Sequence, residues 1–240
     1  MDLPDATWTD ADAAGTDLAL LPVGSTEQHG PHAPLSTDIL IAEAVADAAA
    51  AAYDDEVVVA PPFPYGVSEE HRAFRGTLWL SPETFRSALR DVTTSLIHNG
   101  WRRVIYVNGH GGNIEALDEV AADVSRHEDG YAVAFTWFNA IGEHAAKMGH
   151  AGPLETAMLR AHYPGLVHED RVEAARDGAS GSWGDWTSGV NLAHDTDEFT
   201  DNGVVGDPTA GDAALGHELT DLAADGLAEL LDAVADRSLD

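Results

Sequence analysis

The chain has 240 residues, 44% of them hydrophobic, which is enough for one sizeable core, so we expect a single domain over residues 1–240. The formal charge is −30, and the only lysine is Lys147. This composition argues against nucleic-acid binding, which needs clustered Lys and Arg. We find neither a signal peptide nor an apolar run of the ~20 residues that span a bilayer. The sequence therefore predicts a cytoplasmic protein without membrane contact.

The excess of acidic residues also indicates the salt concentration in which the protein works. A charge of −30 repels itself at low ionic strength, whereas multimolar salt shortens the screening length to about 3 Å and removes this penalty. An acidic interaction surface or disordered tails would be the alternatives, but the charges are spread along the chain among apolar positions. We expect a halophilic protein. Because the chain has no cysteine, any metal must be held by His, Asp and Glu.

Apolar runs and amphipathic segments alternate along the chain. Short apolar runs predict buried strands at residues 18–23, 57–60, 103–107 and 131–137. Helical spacing and capping signals predict helices at 38–52, 81–99, 114–127, 157–162 and 213–235, with Thr37 or Asp38 as N-cap of the first. This alternation predicts an α/β fold with a mostly parallel sheet covered by helices on both faces. Ligands bind such sheets beyond the carboxyl ends of the strands.

The loop after the first predicted strand concentrates candidate ligands. It reads Gly24-Ser-Thr-Glu-Gln-His-Gly-Pro-His-Ala-Pro-Leu-Ser-Thr-Asp38 and contains Glu27, His29 and Asp38. Glu27 and His29 project to one side if the backbone is extended, and Asp38 enters from the next helix. Carboxylates and imidazoles suit Zn, Mn or Fe(II), and one Asp can bridge two ions. The alternative is a solvated, histidine-rich loop.

Two further segments add to this set. His110 lies in the glycine-bracketed turn Asn108-Gly-His-Gly-Gly-Asn113 directly after a predicted buried strand, where glycines permit close backbone approach. His150 and Glu155 lie in His150-Ala-Gly-Pro-Leu-Glu-Thr156, a turn that leads into a helix. Each motif alone is weak evidence for a metal site, because such short motifs also occur by chance.

Together, in this order and spacing, the motifs resemble the creatininase (creatinine amidohydrolase) family. Three further motifs resemble the same family: Ser68-Glu-Glu-His71, Phe74-Arg-Gly-Thr-Leu78 and Gly203-Val-Val-Gly-Asp-Pro208. The resemblance implies a three-layer α/β domain and a dinuclear Zn, Mn or Fe centre. It also implies hydrolysis of a non-peptide C–N bond and a homo-oligomer, often a hexamer.

The resemblance also implies roles for individual residues. Glu27 and His110 would hold one of two divalent ions, His29 the other, Asp38 would bridge them, and His150 would carry protons. This sequence departs from creatininase at position 112, where glycine replaces a glutamate ligand. Glu155 is the candidate replacement, as a metal ligand or as a catalytic group.

The expected reaction is attack on an amide carbon by a hydroxide that two metal ions activate, with His150 protonating the leaving nitrogen. Expected substrates are a small or cyclic amide, the formamide of a pyrimidine nucleotide in riboflavin and deazaflavin synthesis, or a peptide in mycofactocin maturation. A phosphate would require a cation near the pocket, for which Arg72, Arg75, Arg102 and Arg103 are available. A non-enzymatic metal-binding scaffold is the alternative from another class.

Pocket-lining side chains are harder to predict. His71 and Trp137 are candidates for the pocket wall, and Trp183 and Trp186 for a cover on a Gly- and Ser-rich segment. Core packing or a subunit interface is the ordinary role of a tryptophan.

Overall fold

A parallel four-stranded sheet forms the centre of the molecule, which is represented by a computed structural model describing residues 1–239. Asp240, the last residue of the predicted domain, lies outside the described residues. The strands are β1 Leu18–Val23, β2 Val58–Val59, β3 Arg103–Asn108 and β4 Tyr131–Thr136. Their order is β2-β1-β3-β4, and every neighbouring pair is parallel. The predicted parallel sheet is confirmed.

Helices of unequal length surround this sheet. They are α1 Trp8–Asp12, α2 Thr37–Ala52, α3 Pro82–His98, α4 Ile114–His127, α5 Pro153–His162, α6 Val172–Asp177 and α7 Ala213–Ala235. A small antiparallel ribbon is formed by β5 Trp186–Thr187 and β6 Val190–Asn191. No helix within residues 1–239 combines the length and the apolar character that crossing a membrane requires.

Side chains alternate across the central strands and fill two separate cores. On one face, Leu20 and Ile105 pack with buried residues of α2, α5 and α7. On the other face, Leu21 and Tyr106 pack with buried residues of α3 and α4. A strand that is buried on both faces has to be apolar throughout, which explains the continuous runs in the sequence. The α/β fold with helices on both faces is thereby confirmed.

Two helix starts differ from the prediction, and both differences affect the site. The N-cap of α2 is Ser36, so the prediction of Thr37 or Asp38 as N-cap is wrong and Asp38 lies inside the first turn. Helix α5 begins at Pro153 rather than at residue 157, because proline is well suited to the first helical position. Glu155 therefore lies in the first turn of α5.

The carboxyl ends of the central strands lie side by side. Val23 pairs with Asn108, and Asn108 pairs with Thr136 on β4. The loops that carry Glu27 and His110 therefore leave the same edge of the sheet, as the sequence predicts.

Candidate metal centre

Asp38 is held at the edge of the sheet by a close approach of α2 to two glycines. A Cβ atom on Gly109 would lie 2.1 Å from the Asp38 carbonyl oxygen, and one on Gly24 would lie 2.6 Å from the Ile39 nitrogen. A larger residue at either position would push α2 away from the strand ends. The glycines that follow β1 and β3 therefore bring Asp38, which is 1% exposed, into the space between the two loops.

The two carboxylate oxygens of Asp38 face two different histidines. Oδ1 lies 3.1 Å from Nε2 of His29, and Oδ2 lies 3.4 Å from Nδ1 of His110. The same nitrogen of His110 lies 3.1 Å from Oε1 of Glu27. The structure thus brings together four of the predicted ligands, with Asp38 in the middle. A carboxylate placed in this way can bridge two cations.

Backbone carbonyls orient both histidines. Nδ1–H of His29 donates to the Glu27 carbonyl at 3.2 Å, and Nε2–H of His110 donates to the Val67 carbonyl at 2.8 Å. When each ring is neutral, its other nitrogen therefore presents a lone pair toward Asp38. Hydrogen bonds of this kind fix the tautomer and the angle of metal-binding histidines.

The electrostatics of this cluster favour positive charge at two positions. Burial lowers the pKa of His29, but Asp38 and Glu155 outweigh it and raise that pKa well above its ordinary value. Burial likewise opposes protonation of His110, yet Glu27 and Asp38 raise its pKa well above the usual range. The carboxylates thus stabilise a cation beside each histidine, and a metal ion competes with the proton for that place.

Unpaired polar atoms mark the same positions. Within residues 1–239, both carboxylate oxygens of Glu27, Nε2 of His29 and Oδ2 of Asp38 are buried without a hydrogen-bond partner. An unsatisfied buried polar atom costs about 1–3 kcal/mol. Several such atoms facing one another are therefore expected where a cation binds. Donor atoms of Glu27, Asp38 and His110 all lie within 4.8 Å of one another, so these residues fit a metal ion.

Glu155 reaches the centre from the first turn of α5. Its Oε1 lies 3.8 Å from Nε2 of His29, and its Oε2 accepts a hydrogen bond from the Ala151 N–H at 2.5 Å. Ala151 has a φ of 51°, a left-handed conformation that costs a residue with a side chain about 1–3 kcal/mol. This strained turn aims its N–H at Glu155 and leaves Oε1 directed at His29. Donor atoms of His29, His150 and Glu155 form a second group within 4.8 Å.

His150 is sandwiched between two other histidines. Its ring centroid lies 4.3 Å from that of His29 and 4.4 Å from that of His71. Its Nε2–H donates to the Gln28 carbonyl at 2.7 Å, while Nδ1 lies 3.7 Å from Oε1 of Glu27. Burial is the main reason why the pKa of His150 falls to about 4. The ring is therefore neutral near pH 7, with an unprotonated Nδ1.

His71 is more central than the sequence predicts. Its Nε2 lies 3.5 Å from Oε1 of Glu27, and its Nδ1 lies 2.9 Å from the side-chain amide of Gln28 and 3.0 Å from the Thr196 hydroxyl. Burial lowers its pKa well below the usual range. Nothing in the spacing of Ser68-Glu-Glu-His71 indicates this position, because its partners are distant in sequence.

A cavity of about 430 Å³ opens onto the centre. Its walls include His71 and Trp183, and the Trp183 ring lies edge-on to His71 with a centroid separation of 6.1 Å. Trp186 is 58% exposed and is not part of the wall. Trp137 is fully buried in the core, which confirms the ordinary packing role considered for it and excludes it from the pocket wall.

The cavity wall carries no arginine or lysine within the described chain. Arg72 pairs instead with Asp195 at 2.6 Å, and Arg102 pairs with Asp129 at 2.6 Å. None of the four arginines considered for a phosphate group lines the cavity. Its charged wall residues are carboxylates and histidines.

The parallel α/β sheet carries buried carboxylates and imidazoles at its carboxyl edge, an arrangement that fits a metal-dependent hydrolase. Residues 4–231 match the family model described as creatinine amidohydrolase. The chain belongs to the creatininase family, as its motifs predict, and is an amidohydrolase of that family.

Similarity to individual proteins supports this family assignment. The chain is 35% identical to the mycofactocin precursor peptide peptidase of Mycolicibacterium smegmatis, over 92% of this chain and 83% of that protein. It is 28% identical to the creatinine amidohydrolase of Pseudomonas putida, over 70% and 74% of the two chains. A solved structure named creatininase Mn superposes with a TM-score of 0.80 at 21% identity, covering 98% and 99% of the two chains. That similarity concerns the fold.

Gly112 gives a direct test of how His110 is held. A Cβ atom there would lie 2.3 Å from the Val67 carbonyl oxygen and 2.5 Å from Nε2 of His110. We expect Gly112→Ala to break the hydrogen bond between them and to weaken metal binding by about 10–100-fold. Competition with a chelator measures this. Gly111→Ala is the control, because a Cβ there meets nothing within 4 Å. Equal metal affinities of the two variants would contradict the role assigned to this hydrogen bond.

Proposed function

We propose that the chain hydrolyses an amide C–N bond at a centre of two divalent metal ions. Glu27 and His110 would hold one ion, His29 and Glu155 would hold the other, and Asp38 would serve both. The observation that carries this proposal is the position of Asp38, whose oxygens lie 3.1 Å from Nε2 of His29 and 3.4 Å from Nδ1 of His110. A carboxylate that only stabilised the fold would need contact with one histidine, not with two.

The side chains around the centre suit this reaction. Bound divalent cations lower the pKa of a water molecule and polarise the substrate carbonyl. His150 then moves one proton: its Nδ1 accepts the proton from the attacking water and returns it to the leaving nitrogen as the C–N bond breaks. The Gln28 carbonyl keeps Nε2 of His150 in the protonated form, so Nδ1 is the nitrogen that exchanges.

The types of ligand atom at the proposed centre restrict which metals it can bind. Carboxylate oxygens and imidazole nitrogens without thiolate suit Zn, Mn and Fe(II). Similar solved structures are named creatininase Mn and, for a mutant creatininase, Zn-Zn type, so manganese and zinc are both candidates. Metal analysis of the purified protein distinguishes them.

Among the expected substrates, we propose the amide bond of a short peptide. Support comes from the mycobacterial relative, named for a precursor peptide and 35% identical, compared with 28% for the creatinine amidohydrolase. The glycine at position 112 also departs from creatininase. A nucleotide formamide is disfavoured, because no arginine or lysine among residues 1–239 lines the cavity to receive a phosphate.

A substrate panel tests the proposal. Metal-loaded protein in concentrated potassium chloride is incubated with short peptides, creatinine and formamides, and released amine or formate is measured. We expect amine release from the peptides, and none from an Asp38→Ala variant treated in the same way. Absence of turnover on the whole panel would favour a metal-binding scaffold.

We also propose that residues 1–240 act as one catalytic domain within a homo-oligomer. Large apolar side chains remain exposed, among them Trp8 at 79%, Val190 at 59% and Trp186 at 58%. Exposed apolar side chains of this size are common at interfaces between subunits. Light scattering in high salt measures the assembly, and a hexamer is the expected size.

The charge of −30 leads to a further proposal, that the protein works in a salt-rich cytoplasm. Repulsion between acidic side chains should unfold it as ionic strength falls, since the screening length grows from about 3 Å at 1 M salt to about 30 Å at 0.01 M. We expect the melting temperature to rise steadily with potassium chloride. Thermal melts across a salt series measure this, and a flat series would contradict it.

A further inference from the structure

Glu70 occupies the part of the cavity wall that Gly112 leaves open. Its side chain is 28% exposed, and its Oε1 lies 4.0 Å from Nε2 of His110. A Cβ atom built on Gly112 would come within 3.2 Å of that same oxygen. The carboxylate therefore lies beside the space that a side chain at residue 112 would enter, but it comes from a different segment of the chain.

This carboxylate has no strong cationic partner in the described part of the chain. The neighbouring Glu69 lies 3.4 Å from Arg72, and Arg72 also pairs with Asp195 at 2.6 Å. The ion-pair contact of Glu70 is with His110, whose Nε2–H is already donated to the Val67 carbonyl. A carboxylate on a cavity wall without a cation gains most from a cation that enters the cavity.

The charge balance of the proposed centre leads to the same conclusion. Two divalent ions would bring four positive charges, and the carboxylates of Glu27, Asp38 and Glu155 would neutralise three of them, with the attacking hydroxide as the fourth negative charge. Glu70 then adds one uncompensated negative charge beside the reacting groups. Trp183, on the same cavity wall, presents an aromatic ring, and aromatic rings also attract cations.

We propose that Glu70 is a specificity-determining residue that binds a protonated amino group of the substrate. The substrate class is then an amide or peptide that carries an ammonium group near the scissile bond. This inference rests on the proposed function, since it names the substrates that the same centre selects. The ammonium donates N–H hydrogen bonds to Glu70, and a hydrogen bond to a charged group contributes about 1.5–3 kcal/mol.

A pair of anilides that differ only in charge tests the inference. Alanine p-nitroanilide carries an ammonium group, and propionyl p-nitroanilide has a hydrogen in its place. We expect the wild type to prefer the charged anilide in kcat/KM, and Glu70→Gln to lower this preference more than about tenfold, mainly through KM. The control is Glu69→Gln, which removes an exposed carboxylate from the same turn and should keep the preference.

Ligand binding provides a readout that does not depend on turnover. Calorimetric titration of the metal-loaded protein with propylammonium and with 1-propanol should show a preference for the cation, lost in Glu70→Gln and kept in Glu69→Gln. If this binding pattern holds but neither the anilides nor the peptides of the substrate panel are cleaved, the inference stands and the proposed reaction fails. The inference is overturned if Glu70→Gln keeps the wild-type preference, or if it loses metal, because Glu70 would then support the metal centre instead.

Discussion

Asp38→Ala should release both metal ions and abolish amide hydrolysis while the fold persists. The reason is geometric, since this carboxylate lies 3.1 Å from His29 and 3.4 Å from His110. Loss of groups that only support a ligand already costs about 10–100-fold in metal affinity or activity, and loss of a shared ligand should exceed that range. Elemental analysis after gel filtration counts the ions per chain, and circular dichroism reports the fold.

Two other substitutions sharpen this test. His29→Ala should retain the ion held by Glu27 and His110, so its metal content should fall by about half. Asp47→Ala removes an exposed carboxylate from the same helix and should keep both ions. Equal metal loss in the Asp38 and His29 variants would contradict the assignment of Asp38 as the bridge.

Much of this candidate centre could be predicted from the sequence because its main candidate ligands lie close to strand ends. The run at residues 18–23 and the run at 103–107 have to be buried strands, so the polar loops that follow them meet at one edge of the sheet. Glu27, His29 and His110 are found there. The glycines flanking them indicate close packing, and the structure shows that Gly109 makes room for Asp38.

The surroundings of the centre could not be predicted in the same way. Gln28 contacts His71 across 43 residues and the Gly203 carbonyl across 175 residues, and neither contact leaves a pattern in the sequence. The segment at residues 178–212 has no strong periodicity, so nothing indicates that Trp183 rather than Trp137 reaches the cavity. Glu70 belongs to the motif Ser68-Glu-Glu-His71, but nothing in that motif indicates that its side chain reaches the cavity. Only packing between distant segments distinguishes it.

Glu155→Gln should remove about one metal ion per chain and most activity without unfolding the protein. Glu155 is 3% exposed, and its Oε1 lies 3.8 Å from Nε2 of His29. A buried carboxylate is costly unless it meets a cation, and a metal ion beside His29 provides one. Glutamine keeps an oxygen that can accept the Ala151 N–H but removes the charge. Metal content and kcat measured on the same samples give the result.

The competing explanation is that Glu155 only stabilises the first turn of α5 through the helix dipole, which contributes about 0.3–1 kcal/mol. Glu115 provides the control, because it is an exposed acid in the first turn of α4. Glu115→Gln should change the melting temperature slightly and leave both ions in place. If Glu155→Gln behaves in the same way, the ion beside His29 must have another ligand. His150 would then be the first candidate, because its donor atom lies in the same group within 4.8 Å.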